Sequence, residues 1–514
     1  MATQYRKLYV LVFGLAAALV ALGGRLVDVQ VIRHKELQAL ATLNTVRTIP
    51  REPMRGQIFD IRGNPLATSL PSTMICADPS LIGNRREAVA RALAPLLQTN
   101  VEYVMDRLAP RSRDHDGKTN KFVLLKRKVP IETWEKIKQT MAGLSFEADE
   151  AKLKASARTF DHYVRTKAIF AADDQIRTYP NQRLASHVLG YVSTDVDQNG
   201  LSGVELEFNS KLSGIRGWRK TEMDKHQREL VAYRDQDVEP RDGFNVILTL
   251  DAALQDIVES ELAIGVQKHS PISASCVVVR PRTGEILAMA TLPNFDPNLP
   301  GHSSMDALRN RVISDCAEPG STFKIVVVTA GLNEHLVTLN DIFDCERGHF
   351  YYAGRLLHDH EPFGLLSVEN IITKSSNIGA AKIGIRLGDE KLCEYIQKFG
   401  FGHRTGIPLP GEVSGIVHPV KEWSKVSIAQ IPMGQGVAVT PLQMVMAMAA
   451  IANHGLLMRP MLVDRLEDAN GKLAVKYEPQ SVRQIADPET IKQMVTALKT
   501  VVTRDGTAVQ GGLE

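Results

Sequence analysis

EPGSTFK, Glu318 to Lys324, is the stretch on which the rest of this chain turns. Pro319-Gly320 breaks the chain, Ser321 follows at once, and Lys324 stands three residues further on. Directly beyond comes IVVVTAGL, Ile325 to Leu332, with no charge in it. A helix that is apolar on every side is a buried helix, so the lysine opens a core element. Residues at i and i+3 share a helix face, which sets Ser321 and Lys324 one turn apart. At a helix start, unpaired N–H groups and the positive dipole end favour developing negative charge. Desolvation lowers a lysine's pKa and lets it act as a base. The tetrad fits two readings. One is a serine cap with a lysine snorkelling out of a core helix; the other is a nucleophile with its base beside it.

The bulk composition narrows the field. A chain of 514 residues is long enough for two to four domains, and 44% hydrophobic with 23% charged residues is ordinary globular composition. The net charge of +3 comes from nearly balanced acids and bases, which gives no support to nucleic-acid binding. Five scattered cysteines without a CxxC spacing indicate neither a zinc nor a thioredoxin-like motif. HDHE, His358 to Glu361, has ligand-type residues but reads as a surface loop, so no metal or other cofactor is expected.

Leu8 to Gly24 is a 17-residue run free of charge, preceded by Arg6 and Lys7. Its length allows it to span a bilayer, and the positive-inside rule keeps residues 1–7 in the cytoplasm. It lacks a clear cleavage site, so an anchor is expected in place of a signal peptide. Residues 25–50 read as a helix leaving the membrane, and 85–170 as helical and charged, with a polar break at 111–118 and a basic stretch at 121–128 taken as a solvated face. NVILTLD, Asn245 to Asp251, alternates and ends in a helix-starting Asp. Ala274 to Thr291 reads as two strands joined by a turn at Arg282-Thr283-Gly284. A boundary is expected near 250–270.

TKSSNIGAAKIG, Thr373 to Gly384, supplies the second constellation: Ser375 and Asn377 bracket Ser376 just before a small-residue helix. Alone, Ser-Ser-Asn is also common turn chemistry. Paired with an upstream Ser-x-x-Lys, it resembles the set shared by penicillin-binding proteins and class A β-lactamases. The chain as a whole resembles a class B penicillin-binding protein, a monofunctional peptidoglycan D,D-transpeptidase, most like the septal branch. RGQIFDIRGNPLA (Arg55 to Ala67) is similar to that family's first pedestal box, with Ile61 in place of an arginine. RTYPNQRLASHVLGYV, GLSGVELEFNSKLSG, LTLDAALQ, TGEILAMATLPNFDPN, TGIPLPGEVSG and MGQGVAVTPLQ follow in the family's order.

The resemblance implies a multidomain α+β protein. It has a tail (1–7), a single transmembrane helix (8–24), a juxtamembrane helix (25–44), an elongated mixed α/β pedestal of dimerisation type (45–250) and a transpeptidase domain (255–514). That last domain would be penicillin-binding or serine β-lactamase-like, an antiparallel sheet flanked by helices. Ser321 would be the acyl-ester nucleophile, Lys324 the general base, Ser375 a proton relay, and Asn377 a substrate-binding residue. Partners implied are peptidoglycan stem peptides on lipid-linked or nascent glycan strands, β-lactam antibiotics, a SEDS-family membrane glycosyltransferase and other division proteins. The catalytic body would lie outside the cytoplasmic membrane. Arg55, Gly56, Asp60 and Gly63 are read as structural.

The family's third motif, Lys-Thr-Gly or Lys-Ser-Gly, is expected beyond Glu514, as in a C-terminally truncated sequence. With it would go one oxyanion N–H and an inner strand, leaving a poorly active chain with an exposed sheet edge. Arg404-Thr405-Gly406 is not a substitute, because it sits inside a stretch similar to a different family element. Alternatives are a lateral-wall elongation transpeptidase, a β-lactamase or carboxypeptidase using the same serine, or a non-enzymatic penicillin-binding scaffold or sensor. The anchor and long pedestal weigh against the hydrolases, and the single membrane segment weighs against a sensor.

Overall fold

The computed structural model describes residues 2–37, 46–110, 122–146, 155–195, 198–223 and 229–512. They fall into two compact units, Met1–Pro53 with Gly214–Arg241, and Met54–Ser213 with Asp242–Glu514.

The first unit holds the N-terminal helix, Ala2–Val27, which runs on through a π-helical turn at Asp28–Ile32. Val10–Ile32 is long and apolar enough to cross a membrane. The expected helix over 25–50 does not persist: Val46–Arg51 is a strand, pairing antiparallel with Gly217–Met223, which pairs in turn with Glu229–Val238. Pro50 cannot donate to a ladder, and it is tolerated because its strand is at the edge of this sheet. The expected polar break at 111–118 and the end of the juxtamembrane helix lie outside the described residues.

The second unit is built on a seven-stranded sheet. Its strands in chain order are β1 (Ile58–Phe59), β2 (Pro65–Ala77), β3 (Val123–Val129), β4 (Ile169–Thr178) and β5 (Asn245–Leu248). After helix α1 (Ala252–His269) and the hairpin β6 (Ala274–Val279) and β7 (Ile286–Leu292) come helices α2 (Lys324–Asn333), α3 (Asn377–Leu387) and α4 (Pro441–Ala452). Then follow β8 (Val463–Glu467), β9 (Leu473–Lys476) and helix α5 (Pro488–Thr500). The sheet order is β9-β8-β5-β1-β2-β3, with β4 also pairing to β2; only β1–β5 is parallel. Asp251 caps α1 by accepting from the Ala253 and Leu254 amides, as the NVILTLD reading expects. β6 and β7 form the expected antiparallel pair.

One expectation is corrected. The basic stretch at 121–128 is not a plain solvated face, since β3 is half-buried: Leu125 and Val129 are buried, while Lys126 donates to the Leu97 carbonyl and Arg127 pairs with Asp174. β5, on the N-terminal side of the boundary expected near 250–270, lies between β1 and β8 in this sheet.

The pedestal box is structural, as read. Asp60 is fully buried and accepts from the amides of Arg62, Asn64 and Ala252, fixing the turn at Gly63. Arg55 is buried against Glu205, which also meets Arg177 and the Tyr179 hydroxyl. A Cβ on Gly56 would lie 2.0 Å from the Phe244 carbonyl oxygen, so only glycine fits there. The largest hydrophobic core surrounds α2, every residue of which from Lys324 to Leu332 is buried.

Candidate active site

Ser321 lies in a 3₁₀ turn, Gly320–Phe323, that runs straight into α2. This differs from the expected first α-helical turn and sharpens it: with three residues per turn, positions i and i+3 eclipse. Lys324 therefore stacks over Ser321, while Ser321 itself stays exposed. The Lys324 Nζ is 3.0 Å from Ser321 Oγ, 2.9 Å from Ser375 Oγ, 2.9 Å from Asn377 Oδ1 and 2.6 Å from the Ser375 carbonyl oxygen. All four residues named from the sequence meet at one amine.

Lys324 is 2% exposed. Burial pulls its pKa down from 10.5 to about 8, against the opposing pull of the Asp359 carboxylate. An amine of that pKa is neutral in roughly a tenth of molecules at pH 7, far more than an ordinary lysine, so it can take a proton from the serine.

Ser375 reaches the amine from a strained backbone. Its φ is +56°, in the left-handed region, between the end of the helix Val368–Thr373 and the start of α3. Ser376, the residue between the two candidates, faces the other way. It is fully buried, caps α3 by accepting from the Gly379 amide, and donates to Asp359 Oδ2 at 2.7 Å.

Asp359 is the residue that sequence reasoning missed. It belongs to HDHE, yet it is half-buried, and its Oδ1 accepts from the Asn377 and Ile378 amides. A carboxylate at a helix N-terminus is favoured by the dipole. The neighbouring His358 carbonyl accepts from Asn377 Nδ2, so the same loop orients the amide. Arg404-Thr405-Gly406 stands elsewhere: the Thr405 and Gly406 amides both donate to Glu412.

Comparison with known proteins gives the family. Residues 274–513 match the model described as penicillin binding protein transpeptidase domain, and residues 50–248 match the penicillin-binding protein dimerisation domain. The chain is 34% identical over 504 residues to stage V sporulation protein D of Bacillus subtilis, covering 97% of this chain and 72% of that protein. It is a class B penicillin-binding protein.

Another relative of this penicillin-binding protein is peptidoglycan D,D-transpeptidase FtsI of Escherichia coli, 30% identical over 458 residues, covering 88% of this chain and 71% of that one. In fold it is similar to a peptidoglycan synthetase from Bifidobacterium adolescentis (TM-score 0.67, 24% identity, 88% of this chain and 82% of that one). Penicillin binding protein 3 from Mycobacterium tuberculosis, complexed with aztreonam, has a TM-score of 0.64 at 24% identity, over 90% of this chain and 80% of that one.

The Asp359 contacts make a prediction that needs no turnover. Asp359→Asn removes the anion that raises the Lys324 pKa, so a ¹³Cε titration of Lys324 will place it below that of the unsubstituted protein. Loss of the charged cap on α3 will also cost about 1 kcal/mol of stability. A Lys324 titration that does not move, or moves up, refutes this coupling.

Proposed function

We propose that this penicillin-binding protein cross-links peptidoglycan through an acyl-enzyme on Ser321, in septum synthesis. The observation that carries the reading is the buried Lys324 amine, in hydrogen-bond reach of Ser321 Oγ, Ser375 Oγ and Asn377 Oδ1 together. Neutral Lys324 takes the Ser321 proton as Oγ attacks the penultimate D-alanine carbonyl of a stem peptide. The tetrahedral centre collapses, the C–N bond to the terminal D-alanine breaks, and Ser375 passes a proton to the departing amine. Asn377 hydrogen-bonds the donor peptide. The amine of a neighbouring strand then attacks the ester, forming the cross-link and returning the proton to Ser321. The Ser321 N–H, at the start of the turn, is one donor to the oxyanion.

A β-lactam would acylate the same serine, its ring amide opening in place of the D-Ala-D-Ala bond. The septal assignment draws on the likeness to FtsI. The apolar helix at Val10–Ile32 would anchor the protein in the cytoplasmic membrane with its body outside. The pedestal would meet a SEDS-family glycosyltransferase and other division proteins there. The test is intact mass after incubation with benzylpenicillin: one ring-opened β-lactam is expected, mapped by proteolysis to the peptide carrying Ser321. An adduct on another residue, or none, overturns the reading.

A further inference from the structure

The 3₁₀ turn that presents Ser321 is four residues long and begins at Gly320, whose φ is +58°. So short a turn does not hold itself in place. Its side-chain contacts include Thr322 Oγ1 donating to the Pro319 carbonyl, but that bond closes the turn on itself and does not place it. On its far side the turn is held by α2 and the buried Phe323, and ahead of Ser321 it is held by a segment more than a hundred residues later. Ala317 and Val439 exchange both backbone hydrogen bonds, at 3.1 and 2.9 Å. The Gly320 amide donates to the Gly434 carbonyl at 3.3 Å, and the Gly436 amide donates to Glu318 Oε1 at 2.8 Å. Ala317, Glu318 and Gly320, three of the four residues ahead of Ser321, are thus bonded to Gly434–Val439.

That segment is itself fixed. Ala438 and Ile416 exchange backbone bonds at 2.7 and 2.9 Å. Thr440 and Gln443 form a capping box at the start of α4, and Gln443 Nε2 also donates to the carbonyls of His403 and Ser414. Gly434 sits at φ +81°, and a Cβ there would lie 2.1 Å from the Gly320 carbonyl oxygen and 2.5 Å from its nitrogen, both backbone atoms.

We propose that the Gly434–Gly436 loop is the template that sets the Ser321 hydroxyl against Lys324, with Glu318 and Gly434 as positioning residues. This rests on the acyl-enzyme reading above for its kinetic consequence, not for its geometry. Glu318 is exposed and touches neither Ser321 Oγ nor Lys324 in this arrangement, so it acts through the loop. Displacement of a reacting group by about 1 Å can cost about 10²-fold in rate.

The experiment resolves penicillin acylation of the full chain into the dissociation constant of the non-covalent complex and the acylation rate constant. In Glu318→Ala the rate constant is expected to fall about tenfold, with the dissociation constant and thermal midpoint unchanged. Glu318→Gln keeps an oxygen for the Gly436 amide and is expected to recover most of the rate. Gly434→Ala is expected to lose about 10²-fold. A wild-type rate constant in Glu318→Ala, or a Glu318→Gln no better than Glu318→Ala, overturns the proposal.

A second arm separates this from failure of the acyl-enzyme reading. In Ser321→Cys, iodoacetamide alkylation is read on the peptide carrying position 321, with and without Glu318→Ala. A slower reaction with Glu318→Ala supports the template even if the wild type takes no penicillin, in which case only the proposed function falls. Equal alkylation rates overturn the template whatever penicillin does.

Discussion

Lys324→Met will slow penicillin acylation of Ser321 by about 10²–10⁴-fold, the usual weight of a general base. Among the described residues, the amine lies 3.0 Å from Ser321 Oγ and 2.9 Å from Ser375 Oγ, where the proposed reaction needs its base. Because the base must be neutral, wild-type acylation will climb with pH through a limb near 8, where burial has put the Lys324 pKa, and then level off. The variant will lack that limb. Its stability will carry the same signature. Below about pH 8 both folded and unfolded chains hold the proton, so the full cost of burying an ammonium applies. Between about 8 and 10.5 the unfolded chain still binds a proton that the folded chain has released, so stability rises with pH. The relief is on the order of 3 kcal/mol. Denaturant titrations from pH 7 to 10.5 should show this rise in wild type and not in Lys324→Met. Acylation of the variant within tenfold of wild type would remove Lys324 from the mechanism.

The site was legible where its geometry is local. Ser321 and Lys324 share one turn, and the charge-free run after them announced the burial that lowers the lysine pKa. Ser375 and Asn377 were legible as a cluster, but their meeting with Lys324 is long-range and rested on the family resemblance. Asp359 was not legible. It reaches α3 from a loop 16 residues before Ser375, and its carboxylate is committed by amides, which a string of side chains does not display. Glu318 lay inside the opening heptapeptide, yet its partner is a backbone amide at Gly436, equally silent in sequence. In the fold, half-buried strands such as β3 hid behind their charged positions. The place of β5 in the sheet was hidden for a different reason: the strand is only four residues, and its partners β1 and β8 are far away in the chain.

Glu205→Ala will cost about 3–5 kcal/mol of stability, the largest such effect of any single substitution argued from this structure. Glu205 is fully buried, and its carboxylate takes Arg55 at 2.7 Å, Arg177 at 2.6 Å and the Tyr179 hydroxyl at 3.1 Å. The side chains of Arg55 and Arg177 are themselves 2% and 0% exposed. Removing the acid therefore leaves two guanidiniums facing each other without water, and neither can discharge itself, since arginine keeps its proton. The remaining acceptors, among them Asn209 Oδ1, the Glu205 backbone carbonyl, the Gly56 carbonyl and the Ser69 and Ser213 hydroxyls, satisfy hydrogen bonds but carry no charge. Burial pushes the Glu205 pKa up, yet the two arginines outweigh it and hold the carboxyl below its ordinary value. Its stabilisation is thus present above the unfolded-state pKa of about 4.5 and is lost as pH falls through the lower folded value. Wild type will lose stability in that acid window more steeply than Glu205→Ala. Replacing all three charges with apolar residues of similar volume should cost much less than removing the acid alone, because no ion is then left unpaired. Denaturant midpoints for the single and triple variants at pH 7 decide it. If the single variant unfolds at the wild-type midpoint, the cluster does not hold the pedestal together.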